Sequence, residues 1–236
     1  MFFDLNVRGS GLQSNIEMAY EASRYGWDHI NFSYNQKEFP QALDFSDELK
    51  NRLDGVVNFD YTLEIDSTNV NEIRKISNKF RNKSSCITVI GGDLKVNRAC
   101  LENVRIDVLS RPYLRRYDSG LNQVLAKEAL KNNVAIELCF KDVLRSYLSH
   151  RAKVLSNFKD IYTLYRKFDF PLILSSRAES VFDIRTTHDF IAFFRQTGLS
   201  DAEISRSFDA AGNILEFNRN RSQMIFRGVR RVDDEA

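Results

Sequence analysis

One short segment of the chain concentrates side chains that bind phosphate and stack on nucleobases. The sequence SRPYLRRYDSG, at 110–120, contains three arginines and two tyrosines: Arg111, Arg115, Arg116, Tyr113 and Tyr117. A guanidinium group donates two parallel hydrogen bonds to a phosphate, and a tyrosine ring stacks on an unpaired base. The same composition is also typical of a solvated loop with ordinary surface ion pairs. The segment is therefore a candidate nucleic-acid contact, with a purely structural loop as the alternative.

Polar residues also lie where apolar segments of the sequence end. Asn6 and Arg8 end the first such segment, and Arg177 follows the last. A metal-dependent phosphoesterase or a barrel isomerase would instead use carboxylates at strand ends to bind Mn²⁺ or Mg²⁺. The carboxylates available for that alternative are Asp4, Glu64, Asp93, Glu137 and Asp142.

Seven short apolar segments alternate with amphipathic helical patterns along the chain. Buried strands separated by helices form parallel sheets covered on both faces, so seven such units favour an α/β fold. The number of units favours a closed or nearly closed, TIM-barrel-like β/α barrel, in which the strand ends meet at the C-terminal rim. The predicted strands are 2–7, 29–34, 56–65, 86–92, 105–110, 133–140 and 171–176.

Helix boundaries are predicted from capping and stop residues. The segment 41–55 is typical of one helix that ends at Gly55, and a long helix is expected around 149–168. The predicted N-terminal caps are Asp118-Ser119-Gly120, Thr186 with Asp189, and Ser200 with Glu203. No interior linker is evident, so residues 1–218 are expected to form one domain, followed by a basic and then acidic tail at 219–236.

Composition narrows the class of protein. Hydrophobic residues make up 43% of the 236 residues, and the 18 phenylalanines can fill a sizeable core. The net charge of +2 balances 34 basic against 32 acidic residues, so only local clustering can indicate a nucleic-acid partner. The three cysteines, Cys86, Cys100 and Cys139, form no metal-binding or disulfide pattern and are expected in the core of a cytoplasmic protein. No apolar run approaches the roughly 18 residues of a membrane span.

Two blocks of the sequence resemble a known family. The first is GGDLKVNRACLENVRIDVLSRPYLRRYDSGLNQVLAKEALKNNVAIEL at 91–138, and the second is PLILSSRAESVFDIRTTHDFIAF at 171–193. Both are similar to ribonuclease P protein component 3, the archaeal counterpart of the thirty-kilodalton subunit of eukaryotic ribonuclease P. The resemblance extends from Phe2 to about Ile214.

That family resembles, in fold, the barrel of the polymerase and histidinol phosphatase (PHP) metallophosphoesterases. Those enzymes carry His-x-His after the first strand and Asp-x-His after a late strand. The matching positions here are Asn6 with Arg8, and Arg177 with Glu179. A guanidinium that is always protonated cannot bind a cation, so the metal site is expected to be lost.

The histidines offer no replacement for that site. None of His29, His150 and His188 is within ligand spacing of another, and each is interpreted as a surface or helix-end residue. We therefore expect neither catalytic nor metal-binding residues in this chain, and no cofactor. Fixed arginine charge in place of metal charge remains a hypothesis, with drift after the loss of catalysis as its alternative.

The resemblance implies a protein subunit of ribonuclease P, the endoribonuclease that removes the 5′ leader from precursor tRNA. It implies that the RNA subunit carries catalysis and uses Mg²⁺, and that this chain alone is inactive. The implied partners are the ribonuclease P RNA, precursor tRNA indirectly, other protein subunits, and a small ferredoxin-like protein, component 2, in a heterotetramer. The residues expected to contact RNA or partner are Arg98, Arg111, Arg115, Arg116, Lys131, Arg177 and Arg185. Phe190, Phe193 and Phe194 are a candidate docking surface, although they also fit the inner face of a barrel helix.

Overall fold

The computed structural model describes residues 1–221, together with the backbone of 224–226 and 229–230. The strands are β1 (Phe3–Arg8), β2 (His29–Asn35), β3 (Asn58–Ile65), β4 (Cys86–Ile90), β5 (Val108–Ser110), β6 (Ala135–Cys139), β7 (Leu172–Ser175), β8 (Met224–Phe226) and β9 (Val229–Arg230). The helices are α1 (Leu12–Arg24), α2 (Phe39–Asp44), α3 (Ser46–Arg52), α4 (Val70–Phe80), α5 (Leu94–Leu101), α6 (Gln123–Asn132), α7 (Phe140–Leu144), α8 (Leu148–Phe168), α9 (Thr187–Thr197) and α10 (Asp201–Arg219).

Strands β1 to β7 form one parallel sheet in sequence order. Each strand pairs with the next, and the intervening helices cover the outside, which gives the nearly closed β/α barrel predicted from the sequence. Every predicted strand is present, with boundaries that differ by three residues or fewer. The strand ends therefore do meet at one rim.

The end of the barrel opposite that rim is apolar and is closed by α10. Ala211, Ile214 and Leu215 of this helix join residues near the starts of five strands in one buried cluster. Those strand residues are Leu5, Cys86, Val108, Ala135 and Ile173. The C-terminal part of α10 thus completes the core. Without it, the apolar side chains of these five strand residues would be exposed to water.

The barrel interior nearer the rim is polar, which the reading of the strands as apolar throughout did not predict. Side chains alternate along β2: Ile30, Phe32 and Tyr34 pack on the outer helices, whereas Asn31 and Ser33 are buried on the other face. Hydrogen bonds cross this interior between neighbouring strands and between strands that are not neighbours in the sheet. The Asn6 side-chain nitrogen donates to Glu137 at 3.0 Å, and the Ser33 hydroxyl donates to Asn6 Oδ1 at 2.8 Å. Thr62 Oγ1 donates to the backbone carbonyl of Leu5 at 3.0 Å. A buried polar interior is stable only when its groups are paired in this way.

The gap between β1 and β7 is bridged by Asp4. Its carboxylate accepts hydrogen bonds from the backbone N–H of Ser176 at 3.2 Å and of Asn6 at 3.1 Å. The backbone N–H of Arg8 also donates to the carbonyl of Ala178 at 2.7 Å. The edges of the sheet are thus joined without a regular ladder between β1 and β7.

The outer core lies between the sheet and the surrounding helices and contains most of the aromatic residues. Phe190 and Phe194 of α9 are fully buried there against Phe140, and Phe193 is partly buried. The interpretation of these phenylalanines as a docking surface is therefore wrong, because the buried rings are unavailable to a partner. The three cysteines are buried, as expected.

Two helices differ from their predicted bounds or predicted N-terminal caps. Segment 41–55 forms α2 and α3, which meet at Phe45, rather than one helix. Helix α6 is capped by Asn122, whose side chain accepts from Leu125 N–H, and not by Asp118-Ser119-Gly120. The capping residues Thr186 and Ser200 are confirmed, and Ser200 forms a complete capping box with Glu203.

The chain end was expected to form a tail at 219–236. Arg219 instead completes α10, whereas residues 222–223, 227–228 and the acidic end at 231–236 lie outside the described residues. The division into one domain and a tail stays a prediction. Among the described helices, none combines the length and the apolar character that crossing a bilayer requires.

Asp4→Asn should change how stability depends on pH. Burial raises the pKa of Asp4 from 3.8 to about 6, and hydrogen bonds from Ser176 and Asn6 only partly oppose this effect. The folded state therefore favours the protonated carboxyl group, and this stability is complete below pH 4 and is lost as pH rises through 6. A pKa change of that size corresponds to about 3 kcal/mol.

Asn cannot ionise, so Asp4→Asn should gain about 3 kcal/mol relative to the native chain between pH 4 and pH 7. Urea unfolding at a series of pH values measures this difference. The exposed Asp44→Asn substitution controls for the loss of one negative charge. A constant difference between Asp4→Asn and the native chain across the range would contradict the assignment.

Candidate functional site

A cleft of about 900 Å³ opens at the C-terminal rim of the barrel. Its lining contains five basic side chains, Arg8, Lys37, Arg111, Arg115 and Arg177. The acidic lining residues are Glu64, Asp66 and Asp93, so the lining has more positive than negative groups. The cleft is therefore suited to an anionic ligand.

A buried carboxylate lies at the base of the cleft and holds two arginines from opposite parts of the sheet. Nη2 of Arg177 donates to both oxygens of Glu64 at 3.0 Å, and Nη1 of Arg8 lies 3.6 Å from Glu64. Arg8 also donates to Glu38 at 2.6 Å. Burial alone would lower the pKa of Arg177, but attraction to Glu64 raises it above its ordinary value. The shared rim of the predicted barrel thus brings Arg8 and Arg177, from the first and last strand ends, to one carboxylate.

Arg111 lines the same cleft, but its positive charge has a more distant carboxylate partner than that of Arg177. Only 7% of the residue is exposed, and its closest carboxylate contact is from Nη1 to Asp142 at 3.7 Å. Burial would lower the pKa of Arg111, and the nearby Arg177 charge acts in the same direction. Attraction to Asp142 and Glu64 contributes to a net rise in its pKa.

Three arginines of the cleft adopt left-handed backbone conformations. The φ angles are 51° at Arg111, 57° at Arg115 and 52° at Arg177. Left-handed backbone costs a residue with a side chain roughly 1 kcal/mol. The surrounding loops must therefore supply contacts that fix these angles.

Asn97 supplies several of those contacts, because its buried side chain joins the loop after β4 to both ends of the loop after β5. The amide nitrogen donates to the carbonyls of Pro112 and Gly120 at 3.0 and 2.9 Å, and the amide oxygen accepts from Gly92 N–H at 3.0 Å. Gly92 has a φ of 114°, and a Cβ there would lie 2.4 Å from the carbonyl oxygen of Leu114. Only glycine permits this approach, which brings the loop after β4 against the arginine-rich loop.

Arg115 and Arg116 are adjacent in sequence but differ in their surroundings. Arg115 is exposed and forms no ion pair with any described residue. Arg116 makes two hydrogen bonds to Asp118, at 2.6 and 2.9 Å, and a third to the Gly92 carbonyl at 3.2 Å. Arg116 therefore maintains the loop, whereas the exposed side chain of Arg115 is accessible. Contact between this segment and nucleic acid stays a prediction.

A second, smaller groove continues from Arg115 along the start of α8. It has a volume of about 190 Å³, and its basic lining residues are Arg115, Arg116, Arg145, His150 and Lys153. Two tyrosines in the neighbouring loops are strongly exposed: Tyr117 at 92% and Tyr147 at 72%. Sequence reasoning missed Arg145 and Lys153. A search for basic residues in the segment after the sixth strand could have found them.

The remaining predicted contact residues lie away from the cleft lining. Arg98 is on the surface of α5 and pairs with Glu102 at 2.8 Å. Lys131 lies in the last turn of α6, 3.8 Å from Glu128. Arg185 donates to the backbone carbonyls of Phe182 and Ile184. Of the seven predicted residues, the cleft thus brings together Arg111, Arg115 and Arg177.

The carboxylates of the metal-enzyme alternative are occupied by protein donors. Asp93 caps α5, Asp142 accepts from the Tyr113 hydroxyl at 2.8 Å, and Glu137 accepts from Asn6. Asp4 and Glu64 bind the groups described above. Within the described residues, no three histidine, cysteine, aspartate or glutamate side chains are grouped as a metal site.

The histidines are also dispersed. His29 is buried in β2 and contacts Asn31 and Asp60, at 3.0 and 3.3 Å, so its interpretation as a surface or helix-end residue is wrong. His150 and His188 are exposed helical residues, as expected.

Comparison with known proteins decides the family. The family described as "RNase P subunit p30" matches residues 1–223. The chain belongs to this family. It is 40% identical over 234 residues to ribonuclease P protein component 3 of Methanothermobacter thermautotrophicus, covering 97% of this chain and 94% of that one. The corresponding protein of Methanococcoides burtonii is 35% identical over 234 residues, covering 97% and 92%.

Solved structures agree with this assignment. A chain in the cryo-EM structure of archaeal ribonuclease P with mature tRNA superimposes with a TM-score of 0.84 and 30% identity, covering 99% of both chains. A histidinol phosphate phosphatase from Lactococcus lactis superimposes with a TM-score of 0.57 and 10% identity, covering 84% of this chain and 94% of that one. The second likeness shows a shared fold alone. This p30-family chain is a protein subunit of ribonuclease P, an RNA-containing endoribonuclease that processes tRNA.

Glu64→Gln should destabilise the fold strongly. The substitution leaves the buried Arg177 guanidinium without its compensating charge, and Arg8 adds a second positive charge nearby. Breaking a buried ion pair in this way costs about 3 kcal/mol. Urea unfolding at pH 7 measures the loss.

Glu102→Gln is the matched control for this prediction. It breaks the exposed pair with Arg98 on α5, and exposed pairs contribute at most about 1 kcal/mol. Equal losses for the two variants would contradict a special role for Glu64.

Proposed function

We propose that this subunit supports the ribonuclease P RNA by contacting its phosphates with arginines fixed at the barrel rim. One observation carries the proposal: at the positions that match the metal ligands of PHP enzymes, Arg8 and Arg177 are both paired with the buried Glu64. Fixed guanidinium charge binds phosphate and positions RNA without reading its sequence. Catalysis and Mg²⁺ use belong to the RNA subunit, and this chain alone has no hydrolytic activity.

The RNA-contacting surface consists of the cleft and the groove that continues from it. Arg115 belongs to both, and Arg145 and Lys153 extend the positive charge along α8. Exposed Tyr117 and Tyr147 add stacking platforms beside this charge, a combination that suits single-stranded or looped RNA. The surface lies at the rim, away from the barrel end closed by α10.

The protein partners follow from family membership and remain part of the proposal. The chain joins a small ferredoxin-like subunit, component 2, in a heterotetramer of two copies of each, in the cytoplasm. Precursor tRNA is contacted through the assembled complex. Because the net charge is only +2, we expect most of the electrostatic affinity for RNA to require this assembly.

Metal addition tests the absence of a metal-dependent site. Zn²⁺ or Mn²⁺ at micromolar concentration should leave the melting temperature of the purified chain unchanged, because a native metal site would stabilise the fold by mass action. The chain should also fail to hydrolyse a generic phosphodiester. A saturable rise in melting temperature together with turnover would favour the phosphoesterase alternative.

Salt dependence tests the phosphate contacts in the reconstituted complex. The log–log slope of RNA affinity against salt should become shallower by about one for Arg115→Ala and for Lys153→Ala, since each lost phosphate contact releases one fewer counterion. Arg116→Ala should change the slope less, because its guanidinium is bound to Asp118.

Arg206→Ala is the control for this titration, since Arg206 lies on α10 and pairs with Asp169. It should leave the slope unchanged. Slopes that are indistinguishable between Arg115→Ala and Arg206→Ala would remove Arg115 from the RNA interface.

A further inference from the structure

We infer that the cleft at the barrel rim is a binding site for a single phosphate group, held between Arg111 and Arg177. The inference rests on the proposed function and deepens it, because it assigns a discrete site within a surface otherwise described only by its charge. Two sources supply this chemistry, an RNA backbone phosphate and a free phosphate or nucleotide.

The first observation is the incomplete hydrogen bonding of both arginines. Nε of Arg111 and Nε of Arg177 are buried and have no hydrogen-bond partner within the described part of the chain. The nearest ion-pair contact of Arg111 is 3.7 Å long, beyond hydrogen-bond distance. Buried polar groups are almost always paired, so donors left unpaired at the wall of a cleft point to a ligand that accepts from them.

The second observation is geometric and concerns the backbone. Three cleft arginines, at positions 111, 115 and 177, adopt left-handed conformations, whereas the other described non-glycine residues with positive φ are Asn133, Leu148 and Asp169. Strained backbone conformations occur preferentially at ligand-binding sites, where they fix the direction of the side chains. The Asn97 side chain holds the loop that carries Arg111 and Arg115 by accepting from Gly92 and donating to Pro112 and Gly120.

The third observation is the shape and charge of the cleft. Its volume of about 900 Å³ accommodates a nucleotide, not only an isolated ion. Lys37 and Arg115 are exposed at its edge, Arg111 is buried at its wall, and the Arg177 side chain is 14% exposed there. A phosphate that accepts from Arg111 and Arg177 would leave its substituents directed toward the exposed pair.

Titration of the purified chain with inorganic phosphate at constant ionic strength tests the site. Calorimetry should detect saturable binding. Arg111→Gln should weaken it about ten-fold or more, because a charge-assisted hydrogen bond to a buried donor is lost. Circular dichroism checks the fold of this variant. Arg115→Gln alters an exposed residue that is not needed for folding, and it should weaken binding several-fold.

Arg98→Gln is the matched control, because Arg98 is exposed on α5 and lies outside the cleft lining. It should bind phosphate like the native chain. Absence of saturable binding by the native chain, or equal binding by the Arg111, Arg115 and Arg98 variants, would overturn the inference.

Competition distinguishes the two phosphate sources. A dinucleoside monophosphate that displaces inorganic phosphate assigns the site to the RNA backbone. Displacement by a 5′-mononucleotide alone assigns it to a terminal phosphate. Reconstitution separates this inference from the proposed function: a native chain that supports ribonuclease P activity but binds no phosphate would overturn the inference and leave the function standing.

Discussion

The rim of this barrel depends on the ion pair between Glu64 and Arg177. A carboxylate with almost no exposure to water is stable only when a proton, hydrogen-bond donors or a positive charge compensate for the lost hydration. Here the charge is met by arginine from the far side of the sheet, with Arg8 in support. The pair therefore links β3 to the loop after β7 and fixes two of the guanidinium groups that make the cleft basic. One buried acid and its basic partner thus determine where two of the positive charges of this rim lie.

The fold was largely predictable because its signals are local. Alternating strands and helices, with a long helix near 149–168, determine a parallel barrel whatever the details of its loops. The closeness of Arg8 and Arg177 followed from the same topology, since strand ends share a rim. The polar interior was not predictable in this way. Asn31 and Thr62 sit in segments whose overall apolar character hides the alternation, and their partners come from strands that are distant in sequence.

The site was predicted less well than the fold because charge alone does not show what a side chain contacts. Arg115 and Arg116 are identical in type and adjacent, yet Arg115 is exposed to solvent and Arg116 is bound to Asp118. The prediction of a docking surface on α9 was wrong for a related reason. The apolar side of a barrel helix packs against the sheet, so its phenylalanines are buried within the subunit. Asn97 had no sequence signal at all, since a buried amide joining two loops is defined only by the folded backbone.

The position of α10 also has a consequence for biosynthesis. This helix supplies the apolar residues that close the barrel opposite the rim, and it is the last long helix among the described elements. During translation, the strands emerge from the ribosome in order, but their inner apolar layer stays uncovered until residues 211–215 have been made. Contacts between the two ends of the chain form slowly, and exposed apolar surface favours aggregation in the meantime. The subunit therefore closes this end of its core only after residues 211–215 have left the ribosome.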